Sequence, residues 1–183
     1  MNKAEANIDY KYVLLTMVAV IFTWTLHEFS HWIAGELLGN EMVMTLNTGY
    51  PKSGEYIANW HATIISAAGP LMTLIQAIII YYFLKIKSNK LLFPFLLTCL
   101  YMRFLAGAMN FINLNDEGRI SADLGLGAFT LSILMVGILF YLTYTISKKK
   151  EYTTKLIVMT TLLIMLFSSI IILGDQVLKI KVL

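Results

Sequence analysis

Apolar and polar positions along this chain separate into long blocks rather than alternating within short ones. Five blocks run apolar for roughly the 20 residues that a helix needs to cross a bilayer. They are Tyr12–Leu38, Ala58–Leu84, Leu91–Ile112, Leu124–Ile146 and Leu156–Leu173, the last at the short end of the range. A helix satisfies its own backbone hydrogen bonds, which is what hydrocarbon demands of a spanning segment. The pattern therefore predicts an all-α polytopic membrane protein of about five transmembrane helices. Gly39-Asn40 ends the first block, since both residues tolerate left-handed geometry. The longest connection, Glu41–Tyr56, carries the apolar run Met42–Leu46, which predicts a short strand. Gly49-Tyr50-Pro51-Lys52-Ser53-Gly54 then reads as turn chemistry. A short β-like insertion after the first span is expected, shielded from lipid because open strand edges are not tolerated there. In the second span, Ser66-Ala67-Ala68-Gly69-Pro70 should let helices approach closely, and Pro70 should kink the helix.

Composition agrees with the blocks. Of 183 residues, 58% are hydrophobic and only 14% charged, too apolar for a soluble domain of this size. The segments between blocks are too short to bury a core of their own, so residues 1–183 are expected to form a single membrane domain. The net charge of +3 is no argument for nucleic acid, because the lysines gather at span ends, where they anchor helices in the lipid bilayer. Nine basic residues (Lys3, Lys11, three between Lys85 and Lys90, Lys148–Lys150 and Lys155) fall on the side of the N-terminus, against four (Lys52, Arg119, Lys179, Lys181) on the other. This bias predicts a multi-pass protein of the cell membrane with a cytoplasmic N-terminus. The one cysteine, Cys99, reads as a small apolar residue of the third span. No cleavable leader is expected, because the first apolar run is long and its far end carries His and Glu.

That far end carries the candidate chemistry. His27-Glu28-Phe29-Ser30-His31 is a His-Glu-x-x-His motif. On a helix, positions four apart share one face, so two imidazoles can bind one Zn2+ while Glu28 lies close enough to activate a water as general acid/base. An ionisable residue in a span costs roughly 2.5–3.5 kcal/mol on insertion scales, so three together call for a compensating partner. Other polar residues are secondary candidates. His61, near the start of the second span, is a candidate for binding an oxyanion or gating the site, or else an interfacial histidine beside Trp60. Asn110 and Asn113 are candidates for holding a substrate backbone, or else glue between helices. Arg103, within the third span, needs a partner, with Glu36 or Glu117 available.

At these residues the chain resembles the site-2 protease family of intramembrane zinc metalloproteases. The resemblance rests on His27-Glu28-Phe29-Ser30-His31-Trp32-Ile33-Ala34-Gly35 in a membrane helix, and on Ser66-Ala67-Ala68-Gly69-Pro70-Leu71, similar to that family's Gly-Pro segment. It covers a catalytic three-helix core of about residues 12–123. The family's third zinc ligand is an aspartate followed by glycine after an asparagine-bearing stretch. Asn110, Asn113, Asn115 and Asp116-Glu117-Gly118 look like that region, with Glu117 inserted. The resemblance implies that His27, His31 and Asp116 hold zinc, with Glu117 and Asp123 as alternatives to Asp116, and that Glu28 is the acid/base. It further implies hydrolysis of a peptide bond in or near a substrate's own membrane helix, after local unwinding and with the Glu41–Tyr56 segment available for β-addition. Family members place the zinc near the cytoplasmic face, whereas the lysine bias here places it toward the outside. The competing expectation is a non-proteolytic membrane protein with a structural or partner-binding zinc site, closed by His61 or a second carboxylate.

Overall fold

The computed structural model describes residues 8–87, 89–178 and 180–183. Lys3 and Lys179, two of the lysines counted for topology, lie outside the described residues. The chain folds as a helical bundle: α1 Tyr10–Leu37, a hairpin of β1 Met42–Met44 and β2 Gly49–Pro51, α2 Asn59–Ile86, α3 Phe93–Met109 after a 3₁₀ turn, the short α4 Asp116–Asp123, α5 Thr130–Lys149 and α6 Thr154–Leu178. Five of these helices are long and apolar enough to cross a membrane, and the molecule is an all-α polytopic membrane protein.

The helices turn many of their polar and small residues inward, beside an apolar core, and leave other large apolar residues facing outward. On α1, Tyr12, Thr16, Ala19, Thr23, His27, His31 and Gly35 are buried, each three or four residues from the next and so on one face. Leu14, Val18, Ile21 and Phe22 point away, where lipid solvates them. On α2 the buried face is His61, Ile65, Gly69, Thr73 and Ala77, at every fourth position, and the helix continues through Pro70. Hydrogen bonds knit the inward faces together, as expected where lipid removes the hydrophobic drive for helix association. Gln76 Nε2 donates to Thr23 Oγ1 at 2.8 Å, and the Tyr12 and Thr160 hydroxyls share a 2.7 Å bond between α1 and α6. Val20, Trp24, Ala77, Leu84, Phe93, Leu96, Leu139 and Ile164 form the apolar core.

Several helix ends differ from the sequence reading. The last span runs on to Leu178, not Leu173; the third helix stops at Met109, not Ile112, and α5 begins at Thr130, not Leu124. Between them Gly125 and Gly127 adopt φ of +69° and +82°, outside the right-handed helical region. The separate helix α4 occupies residues to which the sequence reading assigned no element. The Gly-Tyr-Pro stretch expected to turn is instead strand β2, antiparallel to β1 with Val43 opposite Tyr50 and Met44 opposite Gly49. Pro51 fits because its missing N–H lies at a strand end.

The hairpin is fastened on every side. The Met42 N–H donates to Glu36 Oε1 at 2.8 Å, so Glu36 caps β1 and does not pair with Arg103. Trp24 Nε1 donates to Asn47 Oδ1 at 2.7 Å. Asp175 of α6 accepts from Thr45 Oγ1 at 2.9 Å and from the Leu46 N–H at 3.0 Å. The backbone of Val182 and Leu183 then pairs with Met44, whose N–H donates to the Leu183 carbonyl oxygen at 2.9 Å. The sequence offered no role for the last span; here it carries the carboxylate that holds the hairpin turn.

The up-and-down order places Lys87 and Lys149 at one end of the bundle and the hairpin, α4 and the foot of α6 at the other. Cysteines introduced at Lys87 and Lys149 should be labelled by an impermeant thiol reagent from one face of the membrane, and cysteines at Ser53 and Asn113 from the opposite face. Cys99 is buried and should stay silent. Labelling of positions 53 and 87 from the same face would disprove the five-span order.

Candidate metal centre

Helix α1 sets His27 and His31 one turn apart on its inward face, and α2 fixes their rings. His31 Nδ1 lies 2.6 Å from the Ile65 carbonyl oxygen. A carbonyl only accepts, so Nδ1 carries the proton there. Thr73 Oγ1 donates to the Gly69 carbonyl at 3.0 Å and so accepts from His27 Nδ1 at 3.1 Å. Both rings thus turn Nε2 toward the same point, the orientation that outer partners impose on ligating histidines. The contact requires glycine at 69, because a β-carbon there would run into the His27 ring and His31 Nε2. The small-residue segment therefore brings α2 against the two imidazoles.

Helix α4 brings the carboxylate. Asp116 is its first residue, and Oδ2 lies 3.2 Å from His27 Nε2 and 3.4 Å from His31 Nε2. The two Nε2 atoms are 3.1 Å apart. A tetrahedral ion with bonds of about 2.0–2.1 Å sets its ligand atoms about 3.3 Å apart. The triangle formed by His27, His31 and Asp116 matches one face of that tetrahedron, and the three residues form a cluster able to hold a metal ion. Asp116 is buried, and Arg103 and Arg119 both donate to its carboxylate, which offsets the cost of burying the charge. It stands as the carboxylate that coordination requires.

The loop before α4 is shaped to deliver Asp116. The Asn115 N–H donates to Asn110 Oδ1 at 2.7 Å, and Asn110 Nδ2 donates to Ser132 Oγ at 3.0 Å. Gly118 packs against the Asn110 amide so closely that a β-carbon would overlap it. Asn110 thereby holds α3, α4 and α5 in register.

Two arginines flank the centre. Arg119 Nη2 donates to Asp116 Oδ1 at 2.8 Å. Arg103, only 3% exposed, donates from Nη1 to Asp116 Oδ2 at 3.3 Å and to the two Glu117 oxygens at 3.2 and 3.3 Å. Its Nη2 lies 3.2 Å from His27 Nε2. These bonds leave Asp116 able to coordinate, because a carboxylate has about four lone-pair positions.

The cluster opens onto a cavity of about 390 Å³ lined by His27, Glu28, His31, Arg103, Asp116 and Arg119, with the hairpin residues Asn47–Gly49 and the α6 residues Ile172 and Gln176 on other walls. Glu28 is buried in the cavity wall, and among the described residues no group hydrogen-bonds to its carboxylate.

The predicted residues thus divide. His27, Glu28, His31 and Asp116 meet at the cavity. Glu117 is engaged with Arg103, and Asp123 lies at the surface, accepting from Thr63 Oγ1 at 3.2 Å. His61 does not line the cavity; it is buried against Asn40, whose Nδ2 lies 3.0 Å from His61 Nδ1. Asn110 is turned into the helix junction and Asn113 is exposed, and neither lines the cavity. Arg119, Tyr56, Asn47 and Gln176 line it without having been singled out. Arg119 reaches Asp116 because the two stand three residues apart on α4, a helix the sequence reading did not assign. No protein-family model, curated protein or solved structure matches this chain.

Two measurements test the centre. Asp116→Ala should lower metal retention in detergent as much as His31→Ala, with Asp123→Ala retaining metal; the reverse result in the two aspartate variants would reassign the ligand. Gly69→Ala should fold yet bind metal roughly 10- to 100-fold more weakly, the loss typical when ligand orientation is disturbed. Unchanged affinity would show that the glycine contact does not set the rings.

Proposed function

We propose that this chain is an intramembrane zinc metalloprotease of the site-2 protease kind, hydrolysing a peptide bond in or near a membrane helix of its substrate. The observation that carries this reading is the meeting of His27, His31 and Asp116 at tetrahedral spacing with Glu28 in the same cavity. Two imidazoles and one carboxylate are a donor set suited to zinc, leaving one position for a substrate or water. A zinc ion held there supplies Lewis-acid chemistry, polarising a carbonyl and making water nucleophilic near neutral pH.

The protein's own part is acid/base work and positioning. Glu28 takes a proton from the attacking water and passes it to the nitrogen of the departing amine. The cavity wall at Gly49 supports a strand-like substrate. In an antiparallel pair, opposed residues alternate between exchanging hydrogen bonds and pointing their polar groups outward. Bonds at Thr45–Thr48 and Glu41–Lys52 flank the pair, so Gly49, opposite Met44, turns its N–H and C=O away from β1. An unwound peptide pairing there by β-addition is held in the cavity that contains Glu28.

The rival reading, a structural zinc protein, requires a fourth protein ligand. Both residues expected to supply it are engaged elsewhere, His61 with Asn40 and Glu117 with Arg103, which favours the protease. The lysine bias supports residence in the cell membrane with the N-terminus in the cytoplasm and the cavity toward the outer face.

Glu28→Gln keeps shape but cannot accept the proton. It should retain zinc and bind substrate normally, yet cleave at least ~100-fold more slowly, the lower end of what a positioned acid/base contributes. The check is cleavage of a membrane-helix peptide by purified protein, with zinc measured in the same sample. Cleavage by Glu28→Gln at the wild-type rate would reject the mechanism in favour of structural zinc.

A further inference from the structure

Hydrolysis of an amide places negative charge on the carbonyl oxygen, and enzymes aim a fixed donor at that oxygen. We propose that Arg103 is this second catalytic group, donating an N–H to the scissile carbonyl oxygen as it gains charge; the assignment rests on the protease reading above. Four observations carry it. Arg103 is 3% exposed yet lines the cavity shared with Glu28. Its Nη1 is anchored by Glu117, itself 3% exposed, and by Asp116. Its Nη2 has one hydrogen-bond partner among the described residues, His27 Nε2 at 3.2 Å. Its Nε, fully enclosed, has no hydrogen-bond partner among them. A ring nitrogen that gives its lone pair to a metal ion cannot also accept a hydrogen bond. Coordination by His27 therefore leaves Nη2 with donors to offer to the cavity, held in place by the rigid fork of the guanidinium. His61, the residue otherwise suited to this task, is turned away toward Asn40.

The step balances within the site. The water oxygen bonds to the carbonyl carbon, its proton goes to Glu28, and the carbonyl π pair moves onto the oxygen that faces Arg103 Nη2. The C–N bond then breaks, the amine leaves with the proton from Glu28, and the carboxyl product remains.

Removing Arg103 alone leaves Glu117 buried without its cation, so the test removes both. Arg103→Gln with Glu117→Gln is one double variant. Arg103→Met with Glu117→Leu is a second, because apolar replacement of a buried ion pair is often tolerated. Arg103→Lys is the conservative control. Each is measured beside wild type for zinc content, for kcat and KM on a membrane-helix peptide, and for affinity toward a phosphinic peptide, which presents a tetrahedral anion to the site. The double variants should keep zinc and KM, lose ~100-fold or more in kcat, and bind the phosphinic peptide correspondingly more weakly. Arg103→Lys should recover part of both. Wild-type kcat and phosphinic affinity in either double variant would overturn the assignment, leaving Arg103 as a counter-ion to Glu117. Loss of zinc in both would also overturn it, making Arg103 a support of the ligands. If zinc-loaded wild type shows no Glu28-dependent cleavage, the proposed function fails and this role fails with it; activity in wild type that persists in the double variants would sink the role of Arg103 alone.

Discussion

The Arg103 guanidinium is buried near the foot of α3, where a cation is tolerable only against carboxylates. Glu117 and Asp116 supply them, and both lie in the first turn of α4. Docking that turn against α3 puts the two carboxylates where the chain reverses, and the Asn110–Asn115 bond and the Gly118 contact hold the reversal. The helix dipole of α4 adds modestly to the same end, since acidic residues favour a helix N-terminus. Breaking a buried ion pair of this kind by removing one partner costs about 3–5 kcal/mol, whereas replacing both together is often tolerated. The carboxylate reaches the histidines because the Asn110 bond and the Gly118 contact hold the first turn of α4 against α3.

The other half of the centre depends on a void. The faces of α1 and α2 meet where Gly69 leaves room for two imidazoles, and the same segment offers the Ile65 and Gly69 carbonyls and the Thr73 hydroxyl that turn both rings. This part was legible in the sequence. Helical periodicity alone places His27 and His31 on one face, and a run of small residues in the next span signals close approach. Asp116 was legible by resemblance rather than by periodicity. Its competitors are now placed, Glu117 on Arg103 and Asp123 at the surface, and only three-dimensional proximity separates them.

What escaped the sequence has common physical causes. Helix α4 is eight residues long and begins among asparagines, so its period is too brief to rise above turn chemistry. Strand β2 hides in Gly49-Tyr50-Pro51, residue types that argue for a turn until an opposing strand supplies the pairing. The side chains of His61 and Asn110 have the chemistry of binding residues, but residue type says nothing of direction; one points into a buried contact with Asn40 and the other into a helix junction. Asp175 was visible as an acid near the end of an otherwise aliphatic span. Its partners, Thr45 and Leu46, lie about 130 residues earlier, a separation that no local pattern spans.

Whether the centre works as a catalyst turns on where its fourth direction leads. A structural ion is enclosed by four protein donors, and the two groups expected to close this one, His61 and Glu117, each have a buried partner. His61 would have to leave Asn40, and Glu117 would have to leave Arg103, each at the cost of an unsatisfied polar atom in the bundle. Neither exchange offers compensation, and the cluster of His27, His31 and Asp116 opens onto the cavity instead. That cavity is bounded by Glu28 and Arg103, by the outer edge of β2 at Gly49, and by α6 through Ile172 and Gln176. The same α6 holds the hairpin turn through Asp175. The last span therefore connects the wall of the cavity to the hairpin that borders it.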